Sequence, residues 1–553
     1  MMRMHTDAGK KAAARRHAAV YTAVCALLCA LAVSCARFTP EPRGLEDAQV
    51  PEAFALYDQT TAVPDRWWET FESDELNRLI EQALEGNLTL QQVYARLDQA
   101  EMIAIQAGAP RLPSVEYSGE ASVSRRRIDP GQEPDRLEIL NRRVAAWNRL
   151  VGAGAMPPAD VLDALGRTQT SLQALDTLLA DTPPSHTITT RRSYRFGLGS
   201  SYEVDLWGRV RSQHEAALLD LEAAREDVYG AMLSLSAVVA RQWLTLVAQQ
   251  ETIAVVEKQL ELNKTTQQLI ELRYRNGLAT ALDVFQQRQI IAQTESLLPP
   301  LESALRTTLH ELAVLLGHPP RQALNLETMT LPAVGALPEP GIPAALLANR
   351  PDVRAAGLRL QSADWRVNVA RADRLPALRL TGSASYGAEE WDLVFNNWVA
   401  TLAAGVTGPV FDAGRRKAEV ERIRAVVDER LAGYRERVLV AAKEVENALF
   451  EETKQAEFIR ALERELEAAR NAHEQALVRY RKGLIDYLPV LSALSQLQVL
   501  ERRLVQAEFT RLDLRVRLCA ALGGAWMADE YEESRHHERT AAQPVNRSPS
   551  PNS

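Results

Sequence analysis

Cysteine is scarce: Cys25, Cys29, Cys35 and Cys519 are the only four in 553 residues, and none stands in a CxxC arrangement. A disulfide framework and a thiolate metal site are both excluded as organisers of the fold. No GxSxG, Walker loop, HExxH or glycine-rich dinucleotide fingerprint occurs between a suitable strand and helix, so catalysis has no support and no cofactor is expected. A basic excess is missing too. The formal net charge is -8, which disfavours nucleic acid as a partner. Proline is absent from Arg209 to Asn276 and again from Arg415 to Lys482, two intervals far longer than an ordinary core helix. With 46% hydrophobic and 25% charged residues the chain is not mainly disordered, and its length admits several domains or one elongated one.

The N-terminus reads as an export signal. Lys10, Lys11, Arg15 and Arg16 precede the apolar run Ala18 to Val33, and the small residue Ser34 precedes Cys35. Residues 1–34 carry five basic side chains and one acidic one, so their removal takes the formal charge from -8 to -12. Leu31-Ala32-Val33-Ser34-Cys35 resembles a bacterial lipobox, with Ala36 after the cysteine favouring the outer membrane, so Cys35 is the expected lipid anchor. The alternative is an ordinary secretory signal with an incidental cysteine.

An internal repeat organises the rest. Arg273-Tyr274-Arg275-Asn276-Gly277-Leu278 returns as Arg479-Tyr480-Arg481-Lys482-Gly483-Leu484, an offset of 206 that Gly208-Arg209/Gly414-Arg415 and Leu316-Gly317/Leu522-Gly523 share. Arg111-Leu112-Pro113 matches Arg374-Leu375-Pro376 at an offset of 263, so the first copy carries an insertion, about 125–192. Val115, Tyr117, Gly119, Ala121 and Val123 alternate with polar residues, as do Leu378, Leu380, Gly382, Ala384 and Tyr386: the period of two of a strand with unlike faces. A second strand is expected over Tyr194 to Leu206 and over Trp398 to Val410, long enough for tilted membrane strands. Four strands do not close a barrel, and lipid tolerates no open edge, so several protomers must share one.

The proline-free intervals, as continuous helix, would each reach ~100 Å. Ile459, Leu462, Leu466, Ala469, His473, Ala476 and Tyr480 step by three and four, and Ile253, Val256, Leu260, Asn263, Gln267, Ile270 and Tyr274 hold the same phase: a heptad seam. A return helix follows each glycine, with Pro299-Pro300 breaking the first. Leu137 to Leu150 and Asp160 to Leu179 in the insertion look helical. Mixed-charge stretches such as Glu444 to Glu467 read as solvated helix faces. His473 reads as a packed seam histidine and His536-His537 as incidental, so no metal site is expected. Trp391 and Trp398 suit either an interfacial aromatic girdle or ordinary packing.

Trp67-Trp68, Phe71, Asp74, Leu76, Leu79-Ile80, Ala83-Leu84, Asn87 and Leu90 resemble the opening of TolC-like outer-membrane efflux proteins, in the NodT-type lipoprotein branch that serves RND exporters. Asp205-Leu206-Trp207-Gly208-Arg209, Phe411-Asp412-Ala413-Gly414-Arg415 and both Arg-Tyr-x-x-Gly turns resemble it too, and only the insertion departs. The resemblance implies a mixed α/β membrane protein: a homotrimer with four strands per protomer in a twelve-stranded β-barrel, continued by a long α-helical coiled-coil periplasmic tube. It implies a passive export duct of the cell outer membrane that docks with a periplasmic adaptor and an inner-membrane RND-type pump. Alternatives are the duct of a type I protein secretion system or a non-conducting coiled coil that bridges the envelope.

On this reading the expected segments are the signal (1–34), an anchor with equatorial segment and first helix (35–112), and the first strand pair with its extracellular loop (113–207). The first hairpin (208–317), an equatorial linker and helix (318–376), the second strand pair (377–413), the second hairpin (414–524) and a disordered tail (525–553) follow. Periplasmic tip and adaptor contacts are expected at Arg273, Tyr274, Gly277, Asp283, Arg479, Tyr480, Gly483 and Asp486. The barrel-to-helix junction is expected at Gly208, Arg209, Gly414 and Arg415.

Overall fold

A computed structural model describes residues 66–128, 187–320, 330–335 and 349–523, with scattered positions between 142 and 174. The signal, Cys35, most of the insertion, much of the linker and the tail with His536-His537 lie outside the described residues. At the scattered positions the backbone is helical, and Arg167 pairs with Asp163 one turn before it at 2.7 Å. The chain divides into two compact units, one made of 112–204 and 377–407, the other of the remainder.

The smaller unit is an antiparallel sheet of four strands in sequential order: β1 (Ser114–Ile128), β2 (Thr187–Val204), β3 (Ala377–Ala388) and β4 (Trp398–Thr407). The second strand of the first copy begins seven residues before the expected Tyr194, because the β-branched run Thr187-Ile188-Thr189-Thr190 keeps pairing with β1 past the end of the apolar alternation. Both second strands also stop short of the expected ends, at Val204 and Thr407.

The larger unit is helical. Helices α1 (Asp74–Gly86) and α2 (Leu88–Gly108) are capped by Ser73, which accepts from Leu76 N, and by Asn87, which accepts from Thr89 N and Leu90 N at 2.9 Å each. The first hairpin comprises α3 (Arg209–Arg275), α4 (Ala281–Glu295) and α5 (Leu298–Leu315); α6 (Pro351–Ala372) precedes the second hairpin of α7 (Arg415–Arg481) and α8 (Tyr487–Leu522). Both α3 and α7 run 67 residues without a break. The interruption of the first return helix falls just ahead of Pro299 and Pro300, which occupy the first turn of α5, where a missing N–H costs no helical bond.

Trp67, Trp68, Leu76 and Ile80 form one core with Met232, Trp243 and Leu244 of α3 and with Leu312 and Val516 of the return helices. One stretch of α3 is long and apolar enough to cross a membrane, but 61% of it is buried within the protein, so core packing uses that surface. Further out, Ile459, Leu462 and Leu466 of α7 pack on Leu497 and Leu500 of α8, the expected seam. In α3 the seam holds at Val256, Asn263 and Ile270 but not at Tyr274, which is exposed.

Two polar features inside the helical unit run against the sequence reading. Glu452, within the stretch taken as solvated, is buried beside equally buried Arg515, whose Nε lies 3.0 Å from both carboxylate oxygens. Nearby, Arg350 binds Asp352, Glu444 and the Ala521 carbonyl. Burial opposes both charges there, but the hydrogen bonds and charge of the pair prevail, raising the Arg350 guanidinium and lowering the Asp352 carboxyl.

Candidate functional site

The register makes the sheet a surface with two chemically distinct faces. On one face Val115, Tyr117, Gly119, Ala121 and Val123 of β1 lie level with Tyr202, Leu198, Phe196 and Tyr194 of β2, with Leu378, Leu380, Ala384 and Tyr386 of β3 and with Val406, Leu402 and Trp398 of β4. None of these is charged. The other face presents Glu116, Ser118 and Glu120, then Arg195, Gly197 and Ser201, then Arg379, Thr381, Ser383 and Ser385, then Thr401, Gly405 and Thr407. Many of the apolar side chains face outward, Tyr117 at 89% and Leu402 at 87% exposure. An apolar band on one side and a polar face on the other is the pattern of a strand set between lipid and an aqueous lumen. At the far end of that band Trp391 meets Tyr194 and Phe196 edge to face, and Phe395 stacks on Phe196. The two edges, β1 and β4, have no partner strand among the described residues.

The tips are built from two copies of one turn. Leu278 N donates to Arg273 O at 2.8 Å and Gly277 N to Tyr274 O at 3.0 Å; Leu484 N donates to Arg479 O and Gly483 N to Tyr480 O in the same way. This is the Schellman closure of a helix, which requires a left-handed residue just past the end. Gly277 (φ +71) and Gly483 (φ +75) supply it.

The side chains around the two turns differ. Tyr480 is buried with Tyr487, Ile270, Val284 and Val490, whereas its repeat mate Tyr274 is exposed. The Arg273 guanidinium stacks 4.6 Å from the Tyr480 ring centre and donates to Arg481 O at 3.1 Å, tying the first hairpin to the second; its mate Arg479 is exposed. Asp283 closes a capping box with Thr280, while Asp486 sits at the N-cap of α8 without a side-chain bond. Burial pushes the Tyr480 and Tyr487 phenols above their ordinary value, and the Asp283 carboxylate adds to the shift.

Below the tip lies a buried polar layer that the heptad pattern only hinted at through Asn263. Asn263 donates to Thr294 Oγ1 at 3.0 Å and accepts from Gln498 at 2.8 Å, Gln287 donates to Asn263 O at 2.7 Å, and Tyr487 donates to Gln287. His473, on the same seam, is half-buried and its imidazole is lowered by burial.

At the junction Gly208 (φ +75) and Gly414 (φ +85) precede the two long helices. Asp205 accepts from Val210 N and Arg211 N, and Asp412 accepts from Gly414 N and Arg416 N, so each motif's aspartate caps its helix. Trp207 Nε1 donates to Pro376 O at 2.7 Å, and Asp373 receives Arg209 at 3.8 Å. The Arg415 side chain is exposed.

Comparison with known proteins agrees with this geometry. The family model described as outer membrane efflux protein matches residues 79–318 and 342–524. The chain is 32% identical over 492 residues to the pyoverdine export outer membrane protein OpmQ of Pseudomonas putida, covering 88% of this chain and 93% of the relative. It is 28% identical to outer membrane protein OprJ of Pseudomonas aeruginosa, covering 91% and 96%. Among solved structures, the outer-membrane channel OprN superposes with a TM-score of 0.72 at 28% identity, covering 89% of this chain and 99% of that one. With the repeat, the two-faced sheet and the long hairpins matched together over most of its length, the chain belongs to the outer membrane efflux protein family and is an outer-membrane channel component of efflux.

Proposed function

We propose that three copies of this chain form one passive export duct, in which their sheets close a twelve-stranded barrel and their hairpins form a periplasmic tube. The observation that carries this reading is a sheet with a broad apolar band on one face, a polar opposite face and two edges that have no partner strand among the described residues. Four strands leave a lipid-exposed edge whose N–H and C=O groups have no partner, a cost removed when β1 of one copy pairs with β4 of the next. The duct itself performs no chemistry. It takes its cargo and its energy from an RND-type inner-membrane pump through a periplasmic adaptor.

The tips are the proposed adaptor contact, through Arg273, Tyr274, Gly277, Asp283, Arg479, Tyr480, Gly483 and Asp486. Exposed Tyr274, Leu278, Leu282, Phe285, Leu484 and Leu488 surround them and supply apolar area for docking. In this reading the Arg273–Tyr480 stack holds the two hairpins of a protomer together in the closed duct, and docking parts them. Photo-crosslinking side chains placed at Leu278 and at Leu484 in cells that carry the pump are expected to capture the adaptor, and one at Tyr117 to capture none. Capture at Tyr117 with none at the tips would reject the tip as the docking end.

A further inference from the structure

The apolar face of the sheet does not end the same way at its two ends. All four strand ends that continue into the helices lie together, near Ser114, Val204, Ala377 and Thr407, and the β1–β2 and β3–β4 connections lie at the opposite end. With the helices periplasmic, the connections are extracellular. At the periplasmic end the band stops at Val115, Val204, Leu378 and Val406 with no charged strand residue on that face. At the extracellular end it runs directly into arginine.

After Val123, β1 places Arg125 and Arg127 on the band's face, and β2 places Arg192 there, opposite Val123. Arg125 stands opposite Thr190, which makes Arg192 its diagonal neighbour at about 7–8 Å. All three side chains are exposed, and Arg192 adjoins the Tyr194–Trp391 ring pair. On the lumenal face Arg191 is 3.0 Å from Glu389, and Arg195 lies opposite Glu120. Glu390 and Asp392 lie in the β3–β4 connection, beyond β3.

From this placement we propose that Arg125, Arg127 and Arg192 form a binding site for the phosphate groups of an anionic lipid in the outer leaflet. The inference rests on the sheet spanning the outer membrane. Guanidinium matches phosphate through paired N–H donors, and the uncharged band beneath takes the acyl chains of the same molecule. Charge and apolar surface thus meet where a phospholipid-like headgroup meets its tails, and only on the extracellular side.

The test uses the purified full-length protein in neutral detergent, with retention of bisphosphorylated lipid A measured by native mass spectrometry against its dephosphorylated form. Trimer mass and conductance are recorded on the same samples, so failure of the barrel reading would show separately. The expected result is preferential retention of the phosphorylated lipid, weakened about a hundredfold in R125S/R127S/R192S, as three basic residues at an anionic surface would give, and little changed in R191S/R195S. Equal retention of both lipids, unchanged retention in the triple variant, or the same loss in the lumenal-face variant would overturn the proposal. Displacement by inorganic phosphate at the concentration of the lipid itself would also overturn it, in favour of a free-anion site. If the triple variant does not assemble, the wild type decides. Raising salt from about 0.1 M to about 1 M shortens the screening length from ~10 to ~3 Å and must release the lipid, and indifference to salt contradicts a site built on charge.

Discussion

Replacing Arg273 with alanine isolates the contact that ties the two hairpins together at the tip. The guanidinium contributes a cation–π contact to Tyr480 at 4.6 Å and a charged hydrogen bond to Arg481 O at 3.1 Å. In a half-exposed setting the first is worth about 0.5–1 kcal/mol, and the second adds about as much once solvent competition is discounted. Their loss, about 1–2 kcal/mol, multiplies the ratio of parted to closed tips by about 5–30. Single-channel recording of R273A in a planar bilayer should show open probability rising by that factor while the conductance of each open event stays the same. Tyr480→Leu keeps most of the buried volume but removes the ring, so R273A in that background should lose only the hydrogen bond to Arg481 O, about half of its cost in the wild type. An unchanged open probability in R273A, or full additivity in the double variant, would refute the tip lock.

Three further outcomes follow from other parts of the molecule. Leu402→Arg puts a charge at the middle of the apolar face and should cost about 2–4 kcal/mol of folding stability, read as loss of folded barrel after reconstitution, while Thr401→Arg on the polar face should be tolerated. Glu452→Ala leaves Arg515 buried without its carboxylate and should lower thermal stability by about 3–5 kcal/mol; Glu452→Leu with Arg515→Leu should recover most of it, and equal damage in both would contradict a desolvation origin. The Asp352 carboxyl is held below its ordinary value when folded, so its contribution is complete above the unfolded value and disappears as pH falls through the folded one. Unfolding midpoints should therefore drop more steeply below about pH 4 in the wild type than in Asp352→Asn.

Most of the architecture was legible because it is written in short-range patterns. Val115 to Val123 and Leu378 to Tyr386 alternate cleanly, since every second side chain lies on the apolar face of the sheet, and the heptads of α7 persist because one stripe always meets α8. The chemistry of the tip was less legible. Asp283 and Asp486 were both expected at the tip, but they are not repeat mates: at the repeat offset Asp486 corresponds to Thr280, and Pro489 stands where Asp283 would recur. Tyr274 and Tyr480 share a motif and a phase, yet which of them is buried depends on how one hairpin docks on the other, and no local pattern encodes that. Glu452 and Arg515 escaped for the same reason: they are 63 residues apart, and each sits in a charge-rich stretch that hides a buried member among solvated ones.

The duct is tested most directly by the mass of the purified full-length protein in detergent, combined with its single-channel conductance in a planar bilayer. Three chains per particle with discrete openings of low probability are the expected result; a well-folded monomer that conducts nothing would contradict the duct and favour an envelope-bridging coiled coil.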